Sequence, residues 1–159
     1  SVQYYHDEIG VNSRLDSIQA AILRCKLPHL DQYNEARQKA AAHYDKAFAN
    51  HPMIKIPGRD PKSTHVFHQY TLRLEGINRD ELKANLAEKE IPAMIYYPVP
   101  LHMQKAYKDE RYTEGMFPVT EQLCKTVISL PMSPELTNDQ LEYITSNVLE
   151  FVNQQKPLN

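Results

Sequence analysis

The stretch Gly10-Val11-Asn12-Ser13-Arg14-Leu15-Asp16-Ser17-Ile18-Gln19-Ala20-Ala21-Ile22-Leu23 sets two polar side chains, Asn12 and Arg14, where a turn runs into an amphipathic helix. Ser13 reads as the helix cap, with Asp16 as its capping-box-like partner. The apolar residues fall at Leu15, Ile18, Ile22, Leu23 and Leu27, the spacing of a helix with one buried stripe. Asn12 and Arg14 then stand at a helix entrance, where free backbone N–H groups and the positive end of the dipole favour a phosphate or a carboxylate. A plainer reading stands beside this one and on spacing alone is the commoner: Asn12 closes a turn after Gly10, and Arg14 is a solvated first-turn residue.

Outward from this stretch, Pro28 removes a backbone donor and predicts a kink or break near Leu27. The helical spacing resumes at Tyr33, Arg37, Ala40, Tyr44 and Phe48 and ends in Asn50-His51-Pro52. Residues 14–50 therefore read as one long bent helix or a helix pair. Residues 51–159 read as a small α/β domain. A short strand at 54–57 and a loop at 58–63 lead to a strand at 66–74, with Val66, His68, Tyr70, Leu72 and Leu74 on one face and Phe67, Gln69, Thr71 and Arg73 on the other. Asn78 with Glu81 opens a helix to Lys89, and residues 91–97 form a second strand stopped by Pro98 and Pro100. Residues 101–107 suit a short helix and 108–115 a charged, flexible stretch. Pro118 opens a helix to Lys125, and a third strand at 127–130 ends at Pro131. Thr137 with Gln140 caps a last amphipathic helix built on Leu141, Ile144, Val148, Phe151 and Val152, and the polar tail 154–159 frays. The fold expected is α/β: a small antiparallel or mixed three-stranded sheet covered by helices and entered by a long kinked helix.

A chain of 159 residues with 42% apolar residues and net charge −2 suits one soluble domain with a real core. Lysines and arginines are scattered among acidic neighbours, so no basic field invites nucleic acid. No apolar run reaches the roughly 18 residues of a membrane span, and the expectation is a cytoplasmic protein without a signal peptide. Cys25 and Cys124 lie far apart and read as small buried hydrophobes. His65 and His68 would point to opposite faces of a strand with no third ligand, so no metal site is expected. The polar, aromatic opening Ser1-Val2-Gln3-Tyr4-Tyr5-His6-Asp7 runs straight into the best motif. It reads as a cut chain, with residues 1–13 continuing from a missing N-terminal domain.

His102 follows Tyr96-Tyr97-Pro98-Val99-Pro100-Leu101, where two prolines fix the backbone and restrict where the imidazole points. Such rigid presentation suits a group that hydrogen-bonds a substrate; a histidine capping the following short helix would look the same.

The opening stretch is similar to the G-x-N-x-R-x-x-x-x-x-A-A segment of the DegT/StrS family of sugar-nucleotide aminotransferases. Further matches follow in the same order: His65-Val66-Phe67-His68-Gln69-Tyr70, then Ile95-Tyr96-Tyr97-Pro98-Val99-Pro100-Leu101-His102, then Phe117-Pro118-Val119-Thr120-Glu121, Ser129-Leu130-Pro131 and Pro134-Glu135-Leu136-Thr137. The resemblance implies the small C-terminal domain of a pyridoxal-phosphate enzyme of fold-type I. It also implies that Asn12 reaches across a dimer interface to the cofactor phosphate of the neighbouring subunit, that Arg14 faces substrate, and that Tyr97 and His102, with His68 more weakly, line the sugar-nucleotide pocket. The cofactor lysine and the acid beside the pyridine nitrogen lie upstream in the family, and Lys26, Lys39 and Lys55 sit in no matching motif. The chain alone is therefore expected to be inactive. The whole enzyme implied is a homodimer that aminates a nucleotide-linked keto-sugar, with glutamate as donor, for cell-surface polysaccharide such as lipopolysaccharide. Two alternatives are a stand-alone nucleotide-sugar-binding or regulatory module, and a relative acting as a sugar dehydratase. The tyrosine- and methionine-containing surface left by an absent domain would make the fragment self-associate.

Overall fold

In the sequence Tyr70-Thr71-Leu72-Arg73-Leu74 apolar and polar residues alternate, and this strand is the middle of the sheet. The computed structural model describes residues 2–155; the tail expected to fray lies, from residue 156 onward, outside the described residues. The elements are α1 (Ser17–Lys26), a 3-10 turn (Leu27–His29), α2 (Leu30–Phe48), β1 (Ile54–Lys55), β2 (Tyr70–Leu74), α3 (Arg79–Glu88), α4 (Pro118–Thr126), β3 (Val127–Leu130) and α5 (Asn138–Gln154). The sheet has three strands in the order β1-β2-β3, all antiparallel, with Ile54 opposite Leu74 and Leu72 opposite Ile128. Tyr70, Leu72 and Leu74 face the core, where they join Tyr44 and Phe48 of α2, Leu82 and Leu86 of α3, and Leu141, Ile144, Val148 and Val152 of α5. On the other face Thr71 and Ser129 hydroxyls bond across the strands at 2.8 Å.

The expected helices form because their caps do. Asn78 accepts from the N–H groups of Asp80 and Glu81, and Thr137 and Gln140 make a reciprocal capping box on α5. The first helix starts later than expected. Its cap is Asp16, not Ser13, with Gln19 as the reciprocal partner. Arg14 therefore lies, with Asn12, on the lead-in to α1 and not in its first turn. Pro28 does break the helix, through the 3-10 turn, before α2 resumes.

Four other expectations are corrected. The stripe Leu15, Ile18, Ile22, Leu23 and Leu27 is not buried: each is more than half exposed, and α1 buries none of its residues. Amphipathic spacing reports a face that wants a partner, and none of the described residues covers this one. Cys25, on the same helix, is exposed. The strand expected at 66–74 begins only at Tyr70. Phe67 has φ 49 and is buried, and its carbonyl and that of His68 accept from Arg37 instead of joining a ladder. Nor are residues 91–97 a strand. Only Met94 pairs, in a single bridge to Ser129 on the outer edge of β3.

Candidate functional site

The segment 91–107 carries two of the expected site residues. Pro92, Pro98 and Pro100 restrict its backbone, and the Met94 bridge fastens it to β3. Tyr97 is 57% exposed. Its ring stands 5.6 Å from Tyr96 and 5.3 Å from Tyr4, and Tyr4 and Tyr96 are 5.7 Å apart. The three rings cross at 70° to 75°, the geometry in which a positive ring edge meets a negative face. The peptide joining Tyr96 and Tyr97 is cis. Loss of solvent, and after it the Tyr96 phenol, raises the Tyr4 phenol above its ordinary value of 10.0. Like any phenol with that ordinary value, the hydroxyl is protonated at neutral pH and can donate.

His102 is turned inward. Its Nε2 donates to Glu121 at 3.1 Å, and its ring lies 4.8 Å from Phe117. The Glu121 carboxylate also accepts from the backbone N–H of Gly115 at 2.9 Å and of Phe117 at 3.1 Å. One acid thus closes the loop that precedes α4 onto the 3-10 turn carrying His102. The ring edge of His102 still lines a cavity of about 520 Å³, with Tyr107, Asp109, Tyr112 and Phe117.

His68 is exposed and borders a cavity of about 260 Å³ with Arg37, Gln69, Tyr96 and Ser129. Arg37 spans from α2 to the carbonyls of Phe67, His68 and Met132 at 3.3 to 3.4 Å, so it fastens the His68 turn to the sheet. Asn12 and Arg14 are exposed and joined to each other: Arg14 Nη1 donates to Asn12 Oδ1. No hydrogen bond among the described residues connects them to Tyr97, His102 or His68. Among the described residues no group of three or more His, Cys, Asp or Glu is placed to hold a metal ion, and no helix is long and apolar enough to cross a membrane.

Residues 1–149 match the DegT/DnrJ/EryC1/StrS aminotransferase family. The chain belongs to that family. It is 45% identical over 151 residues to the "pleiotropic regulatory protein" of Geobacillus stearothermophilus, covering 94% of this chain and 40% of that one. To the dTDP-3-amino-3,4,6-trideoxy-alpha-D-glucose transaminase of Streptomyces venezuelae it is 40% identical, covering 94% and 39%. The crystal structure of S. venezuelae DesV in complex with a ketimine intermediate superposes with a TM-score of 0.83 at 38% identity, covering 97% of this chain and 41% of that one. The chain thus spans about two fifths of the length of the relatives it matches.

Three residues that build this local geometry were not legible in sequence. Glu121 could have been suspected as an acid in the first turn of a helix. Tyr4 and Gln104 carry no periodic signal; their roles come from contacts between segments about 100 residues apart.

The Glu121 clasp sets an acid dependence. Loss of solvent acts to raise its carboxyl, but the Gly115 and Phe117 N–H groups and His102 together outweigh that and hold it below the ordinary 4.5. A depressed carboxyl stabilises the fold fully above that ordinary, unfolded value, and the contribution is lost as pH falls through the lower folded value. Glu121→Gln is expected to lower the melting temperature at neutral pH and to flatten the fall in stability below about pH 5. Parallel melting-temperature curves for the two proteins from neutral to acid pH would show that Glu121 does not titrate in this way.

Proposed function

We propose that this chain is the C-terminal part of a pyridoxal-phosphate-dependent aminotransferase that aminates a nucleotide-linked keto-sugar. The observation that carries the reading is the family match over residues 1–149, beside 40% identity to a transaminase whose name specifies a dTDP-linked amino sugar. Glutamate as amino donor, a cell-surface polysaccharide as destination, a cytoplasmic location and a homodimer with shared sites belong to the same proposal. The uncovered apolar stripe of α1 fits it: such a face suits the preceding domain or a second subunit, and Asn12 and Arg14 sit at its start.

The donors on the chain suit the phosphate end of the cofactor. Asn12 turns its carbonyl to Arg14, which leaves its amide N–H groups free for phosphate oxygens, with a guanidinium alongside. Pyridoxal phosphate, when bound, supplies the electron sink for moving an amino group. Asn12 would hold the phosphate in the partner's site, and Arg14 would fix the Asn12 amide and face the substrate. Tyr97 and His68 would line the sugar side, and His102, locked to Glu121, would hold the shape of the loop beside them. Lys26, Lys39 and Lys55 are exposed, and an ordinary lysine is protonated at neutral pH and a poor imine former. The proposal assigns the cofactor lysine to a part of the protein outside this chain.

The test is to incubate this chain with pyridoxal phosphate, reduce with borohydride, and map modified lysines by peptide mass. Sparse labelling over many lysines is expected. One lysine labelled to completion would mean that the chain holds its own cofactor, and the reading would fall. A second reading, a stand-alone binding or regulatory module, draws on the name of the Geobacillus relative; it predicts nucleotide-sugar affinity in this chain by itself.

A further inference from the structure

Residues 4–7 are buttoned onto residues 104–106. Gln104, only 6% exposed, uses both ends of its amide: Nε2 donates to the Tyr4 carbonyl at 2.9 Å, and Oε1 accepts from the His6 N–H at 3.0 Å. The Ala106 N–H donates to the His6 carbonyl at 3.0 Å, and Lys105 pairs with Asp7 at 3.1 Å. Tyr4 itself has φ 68, a conformation that a bulky side chain adopts only where its surroundings impose it. The constraint has one visible product, the Tyr4 ring set edge-on against Tyr96 and Tyr97.

Tyr4 and Tyr97 meet at 75°, so they form a corner and not a slot. A planar base sandwiched between rings would want two parallel faces. A puckered hexose suits a corner. Its C–H face lies on one ring, while its rim hydroxyls reach the phenol of the other, a donor at neutral pH. Tyr97 leaves more than half its surface exposed beside Tyr4.

We propose that Tyr4 is the second wall of the sugar subsite and that Gln104 is the positioning residue that sets it there. The proposal rests on the nucleotide-sugar reading above and adds to it a residue and a contact, the hexose ring itself. Tyr4 therefore acts on recognition of the hexose and not on the amino donor or the nucleotide. Gln104 acts only through Tyr4.

The experiment uses the complete enzyme, unaltered and as Tyr4→Ala, Tyr4→Leu, Gln104→Ala and the Tyr4→Ala/Gln104→Ala double variant. Calorimetric affinity is measured for dTDP-, UDP- and GDP-linked amino-hexoses, the tightest being carried forward, and for the same nucleotide without sugar. The donor half-reaction is followed separately from the cofactor spectrum with glutamate alone. Tyr4→Ala is expected to weaken the nucleotide-sugar by about tenfold, the scale of losing one aromatic wall and its hydroxyl. Affinity for the free nucleotide and the donor half-reaction should stay within about twofold of the unaltered enzyme, well below a tenfold effect. Gln104→Ala should match Tyr4→Ala, and the double variant should be no weaker than either. Tyr4→Leu keeps apolar bulk against Tyr96 and should show the same selective loss even where Tyr4→Ala fails to fold.

Equal losses for nucleotide and nucleotide-sugar, or unchanged affinity for both, would overturn the wall. If the unaltered enzyme lacks the donor half-reaction but Tyr4→Leu still loses sugar affinity selectively, the aminotransferase reading falls and the wall stands. If none of the three nucleotide-sugars binds, both fall.

Discussion

Phe48→Ala is expected to remove about 3–5 kcal/mol of stability, the range for deleting a buried aromatic and leaving a cavity. Phe48 is fully buried at the last turn of α2, with its ring 6.2 Å from Tyr44 in the core that also holds Ile54, Leu72 and Leu74. For a chain of this size each kcal/mol moves the melting temperature by about 2–4 °C, so the loss should reach about 6–20 °C. Ile22→Ala is the matched control. Ile22 lies on an equally regular helix but is more than half exposed, and its truncation should stay within about 0.5 kcal/mol in this chain. Urea denaturation of the two variants distinguishes a helix that already has its partner from one that does not. Equal losses would mean that the α1 stripe is buried in solution, by self-association or otherwise.

That contrast marks how much could be read from the sequence. α2 and α1 carry the same 3.6-residue periodicity, and periodicity says which face is apolar, not what covers it. Periodicity with capping chemistry was enough for α2, α3 and α5, and alternation was enough for β2 from Tyr70 onward. At the start of α1 two overlapping signals compete, Ser13 with Asp16 and Asp16 with Gln19. The reciprocal box forms with the second, where the amide of Gln19 reaches back to the Asp16 N–H. Residues 66–69 have strand composition, but the carbonyls of Phe67 and His68 go to Arg37, a side chain from another element. Residues 91–97 have the same composition but are interrupted by Pro92 and flanked by Pro98, which cannot donate to a ladder. In the site, proline punctuation singled out His102 as a rigidly presented group, and the family resemblance singled out Tyr97. What it could not disclose is that the His102 imidazole is committed to Glu121, or that Gln104 brings Tyr4 beside Tyr97. Both depend on contacts for which local sequence has no code.

The second large effect is expected at Asn12, the residue proposed to hold the cofactor phosphate. Hydrogen bonds to a charged group contribute about 1.5–3 kcal/mol each, so in the complete enzyme Asn12→Ala should weaken retention of pyridoxal phosphate by about 10- to 100-fold. Equilibrium dialysis of the cofactor reads this without any need for turnover. Asn12→Asp should be worse still, because a carboxylate would replace two N–H donors with a negative charge facing the phosphate. Arg14→Ala should produce a smaller loss of the same kind. Its guanidinium holds the Asn12 carbonyl, and without it the amide is free to turn its oxygen toward the phosphate. If that is how Arg14 acts, the two substitutions are coupled: adding Arg14→Ala to Asn12→Ala should cost little more than Asn12→Ala alone. Additive losses would instead give Arg14 its own contact with the anion. Cofactor retention unchanged in Asn12→Ala would remove Asn12 from the phosphate site, and with it the reason for the lead-in to α1 to stand exposed in this chain.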